Sequence, residues 1–325
     1  MRIRLARSRA GLYIAAVILA AAATFVPTPY SLMLPGQAID LRGVVSVAGH
    51  TPPPPPLYLT DVRFAPRATV TELLTAILPG ARVVRTKDVV PQGVTAVEYD
   101  GVEREAMSES QSIAAFVAER AAGLRVPVPR SRVLAVYFAA NAPAKNVLRS
   151  LDMLIALNGH PIASTADVRQ ALEHVRAGSP VRISVMRHGS ELRLTVPTMQ
   201  YKTRTALGVY LTTIYQRPQI PVAVAFHLPG VAGSSGGLMF ALEIYRTLRP
   251  GRQAASERIA GTGTIAYDGS VGPIEGAAQK VVAARNAGAK LFLVPDENYT
   301  EVAATPGIRI VPVKDFAQAL KAIGG

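Results

Sequence analysis

Between positions 222 and 248 the chain runs from an apolar strand pattern (VAVAFH) through a glycine- and serine-rich turn (LPGVAGSSGG) into an apolar helix pattern (LMFALEIYRTL). Few folds accept this order. A strand feeding a tight glycine loop with a helix opening at once predicts an α/β unit. Glycine admits backbone conformations closed to other residues, and the free N–H groups at a helix start attract negative charge. Such a loop can bind phosphate, stabilise an oxyanion or only turn the chain. The phosphate reading lacks support, because no Lys-Ser or Lys-Thr follows the glycines as a Walker A loop requires. No ATPase module is expected.

Downstream, residues 258–266 (RIAGTGTIA) read as a strand carrying Thr262 and Thr264, and Asp268-Gly269 as a turn into residues 270–274 (SVGPI). Residues 275–289 (EGAAQKVVAARNAGA) follow as an alanine-rich helix, and residues 290–295 (KLFLVP) as a buried strand. Lys280 sits among Ala277, Ala278, Val281, Val282 and Ala283. A free lysine titrates near ~10.4 and is no base at neutral pH, but desolvation can lower its pKa by several units. A lysine in such a helix can equally extend its head to water. A Ser-His-Asp arrangement would instead need His227 and an acid such as Asp268 to meet a loop serine.

The Ser-Gly-Gly loop followed by GTGTI, VGPIEGAAQK and LFLVPDEN resembles the proteolytic domain of the Lon family (peptidase family S16) over residues 207–323. The whole order of segments resembles the Lon-like, PDZ-containing bacterial membrane proteases of the YlbL type. The resemblance implies that Ser235, a serine followed by a small residue and glycine, is the nucleophile, with Ser234 as the alternative. It implies Lys280 as general base and Thr262 as the threonine that bonds near the lysine. The amides of Gly233, Ser234 and Ser235 are the oxyanion candidates by position. No cofactor and no metal ion is expected, and the family's ring assemblies imply a homo-oligomer, with a hexamer as the guess. Three residues depart from the family pattern: Ser234 where proline is common, Gly236 where alanine is common, and Ala232 where ATP-dependent Lon enzymes carry an acid.

The amino end adds a membrane expectation. Arg2, Arg4, Arg7 and Arg9 precede an uncharged apolar stretch at residues 11–26, short for a span of roughly 17 to 25 residues. It reads as a retained anchor or as a cleavable signal peptide with small residues before Thr24. Either way the arginines stay cytoplasmic and the rest of the chain lies outside, in a single-pass arrangement if the anchor is kept. The net charge of +13 is spread along the chain, and tryptophan is absent. Membrane lipid is therefore a better partner than nucleic acid, whose single strands need stacking surfaces. Without cysteine there is no disulfide, zinc-thiolate site or cysteine nucleophile.

The intervening region reads as strands at residues 44–47 and 57–64, a proline run at 50–56 forming a surface loop, a rigid spacer or a docking motif, and a Thr69-capped helix to residue 77. A helix is expected at 107–122, capped by Ser108 or Ser110, with Ile113, Phe116, Val117 and Ala121 on one face and Gly123 ending it. From residue 124 the pattern changes to short strands at 133–138 and 153–157, an Asn158-Gly159 turn, a helix from Ser164 or Thr165 to Val175, and a hairpin of residues 181–186 and 192–196. This order, with Leu151-Asp152 ahead of Ile155 to Gly159, resembles a PDZ domain in its circularly arranged bacterial form over residues 123–198. The resemblance implies a peptide groove between a strand and the helix carrying Val168 and Leu172. Residues 123–126 and 131–134 are both candidates for its carboxylate loop, and a plain spacer domain is the competing reading. The expected organisation is thus a cytoplasmic tail (1–10), a transmembrane anchor (11–27), a linker and helical region packing with the PDZ domain (28–122), a PDZ-like domain (123–200) and a Lon-type protease domain (201–325), of α/β (α+β) class. The expected activity is ATP-independent cleavage of unfolded or tail-exposed polypeptides by a Ser-Lys dyad. The alternative is a catalytically silent membrane adaptor that binds protein C-termini.

Overall fold

The computed structural model describes residues 11, 13–14, 21, 24–89, 96–139, 141–228, 230–251 and 257–324. The tail and most of the expected anchor lie outside them. Among the described residues no helix is long and apolar enough to cross a membrane.

The chain divides into two compact units, Met1–Val126 with Ile220–Gly325, and Pro127–Gln219. The second is therefore inserted into the first. This differs from the linear order expected from the sequence: the region 28–122 belongs with the carboxyl-terminal segment and not with the PDZ-like unit, which runs on past residue 200.

The first unit is built on a six-stranded mixed sheet in the order Arg309–Val313, Leu291–Pro295, Ile259–Gly261, Leu57–Ala65, Tyr30–Asp40, Arg82–Arg85. The first four are parallel, and Tyr30–Asp40 pairs antiparallel with both its neighbours. The run LFLVP is apolar throughout because both faces of this sheet are covered. Leu291 and Leu293 join Leu57, Leu59 and Ile259 under the helices Gly237–Leu248 and Ala96–Ala121. Phe292 and Val294 join Ala260 under Ala277, Val281 and Ala284 of the helix Ala277–Asn286. Each fully buried Leu or Phe contributes roughly 1.5–3 kcal/mol, so the two layers hold the helices from opposite sides.

The helix Gly237–Leu248 is buried almost all round, including Glu243 and Arg246. Burial pushes the Glu243 carboxyl up to about 7, against the pull of Arg246, whose Nη1 lies 3.7 Å from its Oε2. Arg246 also donates through Nη2 to the carbonyls of Pro53 (3.3 Å) and Pro55 (2.8 Å). Prolines bring acceptors without N–H donors, and here a buried guanidinium satisfies them. The proline run is thus tied to the core.

Two further elements differ from expectation. The strand at 222–227 shortens to Val224–Phe226, half-exposed, and pairs with Val45–Val47 in a separate ribbon. The helix expected at 107–122 begins at Ala96, so Ser108 and Ser110 lie inside it and cap nothing.

The second unit is antiparallel, in the order Val209–Tyr215, Ser131–Phe138, Met153–Leu157, Pro180–Arg187, Ser190–Pro197. Ser164 caps the helix Thr165–Leu172 in a capping box with Asp167, and Val168 and Leu172 are buried in the unit's core. Buried Asp152 accepts two 2.7 Å hydrogen bonds from Arg187. Neither expected carboxylate loop suits its role: residues 123–126 belong to the first unit, and residues 131–134 lie in a strand paired on both sides. The free edge next to the helix is Val209–Tyr215, with Thr213 Oγ1 accepting from the Thr165 amide at 3.0 Å.

A fragment starting at residue 123 lacks the strands Tyr30–Asp40 and Leu57–Ala65 and the whole of the helix Ala96–Ala121. Its expected thermal unfolding shows one cooperative transition, from the inserted unit, with the carboxyl-terminal segment unfolded at the outset; calorimetry beside a 127–219 fragment checks this.

Candidate active site

The strand Ile259–Gly261 ends between the two helix layers, and residues from both layers converge there. Thr262 leaves the strand with its amide bonded to the Leu293 carbonyl (3.0 Å), and Gly263 donates to the Ser235 carbonyl (2.8 Å). The ends of parallel strands are where α/β sheets place their sites. Here they pin the glycine loop.

That loop approaches Thr262 through Gly233, whose φ of +93° suits glycine, and tightens into the turn Ser234–Gly236 before the helix. A Cβ at Gly236 would lie 2.9 Å from the Phe240 ring and 3.2 Å from Leu59, and one at Gly237 only 2.6 Å from Ser110 Oγ. The first contact accounts for glycine at 236 in place of the family's alanine. Ala232 is exposed.

Lys280 reaches the same point from the opposite layer. Its Nζ lies 2.5 Å from Ser235 Oγ and 3.1 Å from Thr262 Oγ1. The Thr262 hydroxyl in turn donates to the Ser235 carbonyl at 3.0 Å, so one side chain bridges amine and loop. Lys280 is only 4% exposed and Thr262 is fully buried. Desolvation lowers the Lys280 pKa to about 8, and the carboxylate of Asp61 opposes part of that fall. At pH 8 about half of the amine is unprotonated.

Ser235, Lys280 and Thr262 are thus brought together. The oxyanion candidates separate: the Gly233 amide is already bonded to the Glu103 carbonyl (2.9 Å), while the Ser234 and Ser235 amides open the first turn, where helices leave donors unpaired. His227 is exposed, and the Asp268 carboxylate closes a local turn, accepting from the Ser270 amide (2.9 Å) and hydroxyl (2.7 Å). Those two residues do not form a triad with Ser235. Among the described residues no cluster of His, Cys, Asp or Glu could hold a metal.

Two site residues escaped the sequence reading. Asp61 sits in the strand Leu57–Ala65 with no pattern to mark it. Ser110 carried a signal: it falls on the apolar face of its helix with Ala114 and Val117, and donates to the Ser234 carbonyl at 2.9 Å.

Residues 211–323 match the Lon protease (S16) C-terminal proteolytic domain, and residues 115–198 match a PDZ domain. These matches support a Lon-like proteolytic domain and a PDZ domain in this chain. It is 32% identical over 104 residues to Lon protease of Trichlorobacter lovleyi, covering 29% of this chain and 12% of that protein. It is likewise 32% identical over 104 residues to Lon protease 2 of Bacillus subtilis, covering 31% of this chain and 18% of that one. The chain thus spans less than a fifth of either relative. Among solved structures it is similar to the PDZ domain of an SdrC-like protein from Listeria innocua, with 15% identity, a TM-score of 0.23, and coverage of 25% of this chain and 92% of that one. The matched ranges cross the structural boundaries: residues 115–121 end the long helix of the first unit, and residues 211–215 lie in the edge strand of the second.

Asp61 favours the charged amine, so Asp61→Asn is expected to drop the Lys280 pKa below about 8; ¹⁵N NMR of the labelled lysine across pH measures it. A fall from 10.5 to about 8 corresponds to about 3 kcal/mol of stability withheld below pH 8 and recovered as pH rises towards the unfolded value. Lys280→Met is therefore expected to raise the melting temperature at pH 7, with the gain shrinking between pH 8 and 10.5.

Proposed function

We propose that this chain is an ATP-independent, membrane-anchored serine endopeptidase in which Ser235 is the nucleophile and Lys280 the general base. The observation that carries the reading is the 2.5 Å approach of Ser235 Oγ to a buried amine whose pKa is lowered to about 8. Neutral Lys280 takes the Ser235 proton as Oγ bonds to the substrate carbonyl carbon, and the negative charge on oxygen falls to the Ser234 and Ser235 amides. The ammonium then gives that proton to the departing amine, leaving an acyl-serine and a neutral base. Water attacks the ester, Lys280 accepts its proton and returns it to Ser235 Oγ, releasing the new carboxyl terminus. Thr262 holds the amine towards Ser235.

The PDZ unit supplies peptide capture in this reading. The strand Val209–Tyr215 pairs on one side only and lies beside the helix Thr165–Leu172, the layout in which an extended peptide adds as a further strand. Anchoring rests on the four early arginines and the apolar residues 11–26. ATP independence rests on a glycine loop that lacks the Walker A lysine.

Ser235→Ala and Lys280→Ala are each expected to lower cleavage of an unfolded protein at least a thousandfold without changing the circular dichroism spectrum; retained cleavage in either would defeat the dyad. In the wild type, kcat/KM should fall about tenfold per pH unit well below pH 8, because only the neutral amine is a base. An inflection near 6.5 would transfer the role to a histidine.

A further inference from the structure

The helix Ala96–Ala121 begins ahead of both matched ranges, yet it makes two hydrogen bonds to the nucleophile loop. Its Glu103 carbonyl accepts from the Gly233 amide (2.9 Å), and its Ser110 hydroxyl donates to the Ser234 carbonyl (2.9 Å). Ser110 is 3% exposed, on a helix stripe beside the buried Met107, Ala114 and Val117. A hydroxyl in that setting is stable only when bonded, and the bond it makes lies directly at the loop.

Resting on the peptidase reading above, we propose that Ser110 is the positioning residue of the oxyanion site. A trans peptide is planar, with its C=O and N–H pointing opposite ways. Fixing the Ser234 carbonyl therefore fixes the direction of the Ser235 N–H across the same bond. The Ser234 oxygen takes one hydrogen bond from the Gly237 amide within the turn and the second from Ser110, which holds the peptide plane from outside the loop. The Glu103 contact fixes the peptide two steps earlier, between residues 232 and 233, and leaves the Gly233 amide committed. The next carbonyl, of Ser235, is held by Gly263 and Thr262. Three peptide planes, 232–233, 234–235 and 235–236, are thus oriented from outside, and the Ser234 and Ser235 amides are left to face substrate. Gly237 belongs to the same device, since a side chain there would strike Ser110 Oγ. Ser110 touches neither substrate nor Lys280; it acts through the Ser235 amide.

The test compares the full chain in lipid with Ser110→Ala, Ser110→Thr and, as control, Ser112→Ala, whose hydroxyl bonds within the helix to the Ser108 carbonyl. Cleavage of a fluorogenic peptide and binding of a peptidyl boronate, which forms a tetrahedral adduct on serine, are measured across pH. Ser110→Ala is expected to lower kcat and boronate affinity together, about tenfold to a hundredfold. KM and the acid limb near pH 8 should stay in place, Ser110→Thr should recover most of the loss, and Ser112→Ala should match wild type. Wild-type kcat and boronate affinity in Ser110→Ala would overturn the inference alone. So would a loss accompanied by a displaced acid limb, which marks collapse around Lys280. A wild-type chain that neither cleaves nor binds the boronate would defeat the peptidase reading, and the role of Ser110 with it.

Discussion

An amine kept from water at the junction of two helix layers is the constraint on which the rest of this structure depends. Lysine in an apolar site loses its hydration, and it remains there only where packing on every side is firm enough to exclude solvent. Phe292, Val281 and Ala284 close the layer behind it, while Leu238 and Met239 fill the layer carrying the Ser235 loop. Polar partners are few: the Ser235 and Thr262 hydroxyls at hydrogen-bond distance and the more distant Asp61 carboxylate. Too much polarity here would restore the charged amine, and too little would leave its nitrogen unbonded.

Local signals in the sequence were legible where local physics decides the outcome. The run at 291–295 is apolar because both sheet faces are covered, the Ser164 cap precedes its helix, and the loop serine Ser235 lies 2.5 Å from the helix lysine Lys280. The partition into domains was not legible. Leu57–Ala65 pairs with Ile259–Gly261, and nothing in either strand names its distant partner. Tyr30–Asp40 hides its strand character because its register shifts between Pro35 and Ala38, breaking the alternation. The early start of the helix Ala96–Ala121 was missed for lack of apolar spacing in AVEYDGVEREA. Arg246 was missed because its acceptors are backbone carbonyls of a loop far away in sequence.

Ser110 shows where pattern reading can be sharpened. Beside the buried Met107, Ala114 and Val117, one buried hydroxyl is an inconsistency, and inconsistencies of that kind concentrate at functional sites. The buried Glu243 and Arg246 of the neighbouring helix are a second such mark, explained in part by the proline carbonyls.

The insertion of one unit within the other sets an order of events during synthesis. The Thr60 hydroxyl bonds to the Gly261 carbonyl across 201 positions, and the amine meets its hydroxyl only beside that seam. A ribosome releasing the chain from its amino end delivers half of the central sheet first, then the whole captured module, and last the strand that completes the sheet. Closing so long a loop is slow but adds little to its entropic cost for each further residue, so the interruption is tolerated. Until Ile259–Gly261 and Lys280 have emerged, the growing polypeptide holds a complete inserted unit and no assembled Ser235–Lys280 pair.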